Sequence, residues 1–491
     1  GTDILSIIKN HNLPGEFPPE VEIQASKIPD EVREEQILKR RDLRNNIIIT
    51  IDGDDAKDLD DAISLVTLKN GNYLLGVHIA DVSQYVFEIS PIDNEALKRG
   101  TSVYLVDRVI PMLPKKLSNG ICSLSPQVDR LTLSCQMEID QKGKVVKYEI
   151  YESIVNSKER MTYSNVNKIL EEDDPELKNR YSHLVDTFKN MEDLMDILRK
   201  KRKLRGSLDF EFDETKIVLD DKGKPIDIRP YERGVSEKII EEFMIVCNET
   251  IAEHFHWKGM PFLYRVHEDP DPEKIKALNL LIHNFGYRIK GAEEIHPKAL
   301  QQVLEKVSGK KEERLVSTLL LRSLKKARYD GESFGHFGLA SRFYCHFTAP
   351  IRRYPDLMIH RIIKEDIHGK LNMERIKELK EIIPSIAEQS SIRERAAEEA
   401  ERETEDLKKT EYMKDRIGEE YEGIISSVTA FGMYVQLENT IEGLVHVSNM
   451  EDDYYRFDDN NYVLIGERKR KIYRIGDMVK IKVLSADIAN R

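Results

Sequence analysis

Cysteine is scarce in this 491-residue chain, and its four copies, Cys122, Cys135, Cys247 and Cys345, lie far apart with no CxxC pair. That spacing argues against a disulfide framework or a cysteine-built zinc site and fits reduced thiols in a cytoplasmic protein. No apolar run approaches the roughly 18–20 residues needed to span a bilayer, so no membrane partner is expected. The first residues, Gly1-Thr2-Asp3, bring no initiating Met and no signal-peptide pattern. Positive charge is also in deficit: 76 Lys and Arg against 88 Asp and Glu leave a formal net charge of −12. A nucleic-acid partner would ordinarily favour the opposite sign. An enzyme that holds metal on carboxylates must itself concentrate acid, however, so the total decides little. One basic run, Arg199 to Arg205, places six cations in seven positions; a solvated helix face and a phosphate contact are both open for it.

What is present is enough apolar residue, 40 %, for a sizeable core, and a length that calls for two or three domains. Residues 1–45, with Pro14, Pro18, Pro19 and Pro29 breaking short helical patterns, read as a connecting or docking segment. Residues 46–415 read as an α/β catalytic domain. The β-branched run Ile47–Ile51 predicts a strand ending at Asp52. Ala62–Leu68 and Tyr73–Ile79 predict a hairpin through Asn70-Gly71, and Cys135–Ile139 with Val145–Ile150 another through Lys142-Gly143. Helical spacing predicts Glu237–His254 and Glu312–Lys326. Pro384 is expected to interrupt the charged stretch that follows, leaving Ser385–Arg416 as one solvated helix or connector. Beyond Gly418 the period returns to two. Glu422–Ser427, Gly432–Leu437, Gly443–Val447 and Met478–Leu484 predict a small β-barrel over 416–491, clipped before a final strand.

Six aspartates fall within the ten residues Asp52–Asp61. Strand-like segments bracket them, so their carboxylates repel one another at an anchored position, and a bound cation relieves that repulsion. An EF-hand loop fails here: its fifth, sixth and twelfth positions would be Ala56, Lys57 and Ile63. A site for hard cations with open coordination remains, suited to magnesium and to two-metal phosphodiester cleavage. On the cluster alone, a solvated acidic loop stays open beside it.

The spacing Asp52, five residues, Asp58-x-Asp60-Asp61 resembles the signature of the RNB family, the ribonuclease II and ribonuclease R exoribonucleases. His336-Phe337-Gly338-Leu339-Ala340 and His346-Phe347-Thr348-Ala349-Pro350-Ile351-Arg352-Arg353-Tyr354-Pro355-Asp356-Leu357 resemble that family's arginine-bearing block, in the wording of its ribonuclease R branch. His78–Ser83 and Ile110–Pro114 are similar to it as well.

The resemblance implies a mixed sheet with surrounding helices, then an OB-fold of the ribosomal S-one type. It implies processive 3′→5′ hydrolysis of single-stranded and structured RNA with a free 3′ end, releasing nucleoside 5′-monophosphates, by a monomer using magnesium, or manganese in its place. Asp52 and Asp61 correspond to the principal metal ligands. Asp58 and Asp60 correspond to the partners that complete a second metal site or position water, while Asp54 and Asp55 are left out. Arg352 corresponds to the arginine at the scissile phosphate, with Arg353 sharing the role.

Tyr104 and Phe210 correspond to the aromatics on either face of the terminal base, and Tyr163 and Glu242 to residues at the ribose. In the barrel, Phe431, Tyr434 and His446 are the implied base-stacking surface. Lys469, Arg470 and Lys471 fit phosphate contacts or a solvated loop equally. Complete family members carry cold-shock domains before this region and a basic tail after it, so the chain is expected to open near the end of a cold-shock domain and to stop within the barrel. Two other readings are a catalytically inactive RNA-binding protein of the same fold and a DNA-directed metal nuclease.

Overall fold

The computed structural model describes residues 2–210, 214–291 and 294–489, which include every candidate residue named above. Seven strands form a mixed central sheet: β1 (Arg41–Asp42), β2 (Ile49–Asp52), β3 (Asp61–Thr67), β4 (Tyr73–Ala80), β5 (Asp129–Ile139), β6 (Val145–Asn156) and β7 (Glu159–Thr162). Their order is β1-β6-β5-β4-β3-β2-β7. The outer pairs β1–β6 and β2–β7 are parallel and the inner ones antiparallel.

Strands β4 and β5 lie at the middle, and Leu75, Val77, Ile79, Leu133, Cys135 and Met137 are shut off from solvent. These six pair across one face of the sheet, and the alternation of Leu131, Leu133, Cys135, Met137 and Ile139 with polar residues is the period-two signature of that face. Both predicted hairpins form. Gly71 and Gly143 adopt φ of +84° and +78°, which side-chain-bearing residues rarely do. Helix Val235–Lys258 packs on β4 and β5, and helix Val185–Arg205 on β3. The four cysteines are unpaired and buried. Among the described residues no helix is long and apolar enough to cross a membrane.

Four expectations change. Pro384 does not break its helix, which runs uninterrupted from Met373 to Lys414. Pro384 and Lys380, whose carbonyl loses its helical partner, are both exposed, on the side where solvent can satisfy that carbonyl, while Leu379, Ile383, Ile386 and Ala387 face inward. Nor is this helix a solvated connector: Ala397, Ala400 and Leu407 pack with Ile4 and Ile7 of the N-terminal helix Thr2–Asn10 and with Val103 and Leu105. The barrel holds more strands than the four expected. A four-stranded sheet (Glu420–Thr429, Gly432–Leu437, Glu442–His446, Met478–Lys482) is joined by three short strands, Tyr455–Asp458, Val463–Gly466 and Ile472–Arg474. These escape a sequence reading because each spans only three or four residues and the last two flank the charged stretch Glu467–Lys471. Finally, the predicted helix Glu312–Lys326 spans Glu313–Ser323.

The barrel does not stand apart. Ile425, Val428, Met433, Val435 and Leu464 share one core with Ile275, Leu278, Ile282, Leu300, Val303, Val316 and Leu320 from three helices of the preceding domain.

A buried ionic knot ties the first part of the sheet to the helix Tyr354–Ile367. Asp81, 1 % exposed, accepts from Arg40 at 2.6 Å, from Lys364 at 2.9 Å and from the Ser83 hydroxyl at 2.7 Å. Burial pushes the Asp81 carboxyl up, but Lys364 and Arg40 outweigh it and hold it well below the usual carboxylate range. A depressed folded value means stabilisation that is complete at neutral pH and fades only as the pH falls below that range. Removing one member strands buried charge, so Asp81→Ala is expected to lower unfolding stability by about 3–5 kcal/mol in urea denaturation at pH 7.

Candidate active site

Strand β2 is fully buried through Ile49, Thr50 and Ile51 and delivers Asp52 at its end. The chain then loops through exposed Gly53, Asp54 and Asp55 and re-enters the core at Leu59, 3 % exposed, before Asp61 opens β3. Two of the six aspartates are thus given to solvent, and the other four border the interior. The loop is fastened on both sides. Buried Ser123 donates its hydroxyl to the Lys57 carbonyl at 2.8 Å and accepts the Leu59 N–H at 3.0 Å. The Arg160 guanidinium, on β7, donates to the carbonyls of Asp54 (3.1 Å) and Ala56 (2.6 Å).

Each of the four carboxylates has a distinct setting. Asp58 accepts the Tyr104 hydroxyl at 2.8 Å. Asp60, 4 % exposed, accepts the backbone N–H of Ile351 at 2.8 Å through one oxygen, while its other oxygen lies 3.9 Å from Nε of Arg352. Asp52 and Asp61 each keep one buried oxygen, Oδ2, without a hydrogen-bond partner. Burial, then the neighbouring charges of Asp61, Asp60 and Asp58, pushes the Asp52 carboxyl upward, with Arg160 pulling the other way. Burial likewise raises Asp61 and Asp60, opposed by Arg352. Orphaned, partly desolvated carboxylate oxygens are what a hard divalent cation satisfies. Among the described residues no three His, Cys, Asp or Glu side chains are already converged as a closed cage. The fit therefore rests on the two orphaned oxygens and the all-oxygen donor set.

Arg352 is 43 % exposed at its side chain, and its backbone is fixed where Ser102 N–H donates to its carbonyl at 2.9 Å. Tyr104 follows two residues after Ser102. Its N–H donates to Glu401 of the long helix at 2.8 Å, and its ring is 40 % exposed. Burial and the charge of Asp58 push its phenol upward, so it stays a neutral donor. Tyr163 opens the helix after β7, half-buried beside Asp61 and Asp52, which with burial raise its phenol too. The structure thus gathers Asp52, Asp58, Asp60, Asp61, Arg352, Tyr104 and Tyr163 at one place.

Other candidates are placed differently. Arg353 is bound to buried Asp356 at 2.7 Å, and Asp356 also accepts the Ala349 N–H. Its guanidinium is occupied in shaping the loop that carries Arg352. Glu242, 2 % exposed, is held by Arg202 at 2.7 Å and presents no free edge. Within the basic run, Arg199, Arg202 and Arg205 pair with Asp209, Glu242 and Glu249, so its three arginines are internal ties. Phe210 is half-buried against the core that the helices share with the barrel. Phe431 and His446 are exposed and Tyr434 half-buried; the Phe431 and Tyr434 rings meet edge-on with centroids 6.5 Å apart. Lys469, Arg470 and Lys471 are exposed. Ser123, Arg160 and Glu401, which fasten the site, carry no motif, and no sequence signal marked them.

A family model described as the RNB domain matches residues 40–369, and one described as the S1 RNA binding domain matches 414–491. The chain is 51 % identical to Ribonuclease R 1 of Lactococcus lactis subsp. lactis over 99 % of its own length and 60 % of that protein's. It is also 51 % identical to Ribonuclease R of Thermotoga maritima, over 99 % and 69 %. It therefore spans some 60–69 % of the length of these relatives. The solved structure of Mycoplasma genitalium RNase R in complex with ribose-methylated single-stranded RNA superimposes with a TM-score of 0.91 at 31 % identity, covering 99 % of this chain and 76 % of that one.

Asp61→Asn removes a mutually repelling buried charge. In EDTA it is expected to raise the melting temperature by about 2 °C or more. The wild type should gain stability on adding magnesium through linkage, and Asp61→Asn should gain much less. Thermal melts with and without magnesium check both signs.

Proposed function

The chain belongs to the RNB family, and from that premise we propose that it is a processive 3′→5′ exoribonuclease acting on single-stranded RNA, with magnesium or manganese, as a cytoplasmic monomer. The observation that carries this reading is the joining of Asp60 to Ile351 and Arg352: it sets a guanidinium that binds phosphate beside the carboxylates that bind cation.

Asp52 and Asp61 would hold the metal through their orphaned oxygens, with Asp58 and Asp60 completing the set. Magnesium, when bound, supplies Lewis acidity toward the phosphate and toward the water that attacks it. Arg352, exposed enough to reach substrate, binds non-bridging phosphate oxygens and offsets the charge that grows on them in the transition state. Tyr104 offers a ring face to the terminal base while its hydroxyl keeps Asp58 in place. Tyr163 stands at the same site as a hydroxyl for the ribose. Stacking contributes ~1–3 kcal/mol per base whatever the base, which suits a general degrader. Phe431, Tyr434 and His446 on the barrel would extend that stacking upstream.

With single-stranded RNA labelled at its 3′ end, the expected first labelled product is a nucleoside 5′-monophosphate. A 5′ label should stay on a progressively shortened strand, and EDTA should stop the reaction. Internal fragments from both labels, or turnover that survives EDTA, would contradict the reading. Arg352→Ala is expected to lower the single-turnover cleavage rate constant by roughly 100- to 1,000-fold, measured with enzyme in excess over RNA.

A further inference from the structure

The loop between Asp52 and Asp58 carries the spacing on which the cation site depends, yet little inside it holds its shape. Its one internal backbone bond runs from Ala56 N–H to the Gly53 carbonyl at 3.2 Å. Gly53, Asp54, Asp55 and Lys57 are exposed. Constraint comes from outside. Strand β7 runs parallel to β2, with Arg160 level with Thr50 and Thr162 level with Asp52. From there one guanidinium nitrogen of Arg160, Nη2, donates to two loop carbonyls, Asp54 at 3.1 Å and Ala56 at 2.6 Å. Its Nε is buried without a partner. An arginine beside six aspartates thus spends its directed bonds on backbone carbonyls, which fixes chain shape rather than neutralising a carboxylate.

We propose that Arg160 is a positioning residue for the cation site: by bridging the Asp54 and Ala56 carbonyls it sets the reach between Asp52 and Asp58. The proposal rests on the reading of these aspartates as cation ligands. It has a consequence opposite in sign to the simple electrostatic expectation. A cation near a metal site repels the metal, so removing a bystander charge tightens binding. Removing a clamp leaves the loop with many conformers, and the ligands must then be ordered as the metal binds, which weakens it.

The test is Mn2+ binding to the whole chain without RNA, read by the loss of the free-ion electron paramagnetic resonance signal. Arg160→Met removes both clamp and charge; Arg160→Lys keeps the charge but loses the planar fork. Circular dichroism and the fluorescence of Trp257 check that each variant is folded. The expected result is binding about 10-fold or more weaker in Arg160→Met, with Arg160→Lys between it and the wild type. Tighter or unchanged binding in Arg160→Met overturns the proposal. If that variant does not fold, Arg160→Lys decides alone, and wild-type affinity in it overturns the proposal. Asp52→Asn is measured alongside: wild-type Mn2+ affinity there overturns the ligand reading itself, whereas lost binding there with unchanged binding in Arg160→Met overturns only the role of Arg160.

Discussion

Four carboxylates confined at the mouth of a buried β-hairpin repel one another, and much of the surrounding structure serves to hold them there. Left alone, Asp52, Asp58, Asp60 and Asp61 would swing apart into water. The strands prevent this: β2 is sealed through Ile51, and Leu59 anchors the intervening loop in the core. Asp60 is then tied by the Ile351 N–H to a segment 291 residues away. That single bond brings Arg352 to the carboxylates and, through the contact of Arg352 with Ser102, steers Tyr104 as well. In the proposed function, a bound cation is what relieves this repulsion.

The long helix Met373–Lys414 transmits that order across the molecule. Glu394 pairs with Arg265 at 2.7 Å, and Glu401 fixes the backbone of Tyr104. The helix then leads to a barrel whose core is continuous with three helices of the RNB domain. An RNA strand stacked on Phe431 and Tyr434 would meet a surface fused to the domain that holds the aspartates, rather than a module on a flexible tether. A shared apolar core resists relative motion far better than a linker does.

Charged residues within the motifs divide by burial. Arg352 and Arg353 are neighbours in sequence, yet one side chain is 43 % exposed and the other is bound to fully buried Asp356. Glu242 and Arg202 neutralise each other in the same way. A buried ion pair is costly to open, so such residues shape the site without being free to touch what enters it. The same sorting separates Asp54 and Asp55, given to solvent, from the four aspartates beside them.

Much was legible in the sequence because local chemistry decides it. Alternating and continuous apolar runs placed β2 to β6, glycines in left-handed turns marked both hairpins, and the Asp52–Asp61 spacing with the Arg352 segment marked the candidate site through their resemblance to the RNB family. Other features depended on contacts between distant residues. Pro384 stays within a helix because packing on one face and solvent access on the other offset its lost bond. The three short barrel strands exist only through their neighbours. Arg353 and Glu242 became internal ties, and Ser123, Arg160 and Glu401 became supports, because of groups from 3 to almost 300 residues away. Sequence alone determined which chemistry was available, since carboxylates, guanidinium and aromatic rings carry it wherever they lie. Tertiary structure decided which of them are left unsatisfied, because a free oxygen or an open ring face is a property of everything packed around it.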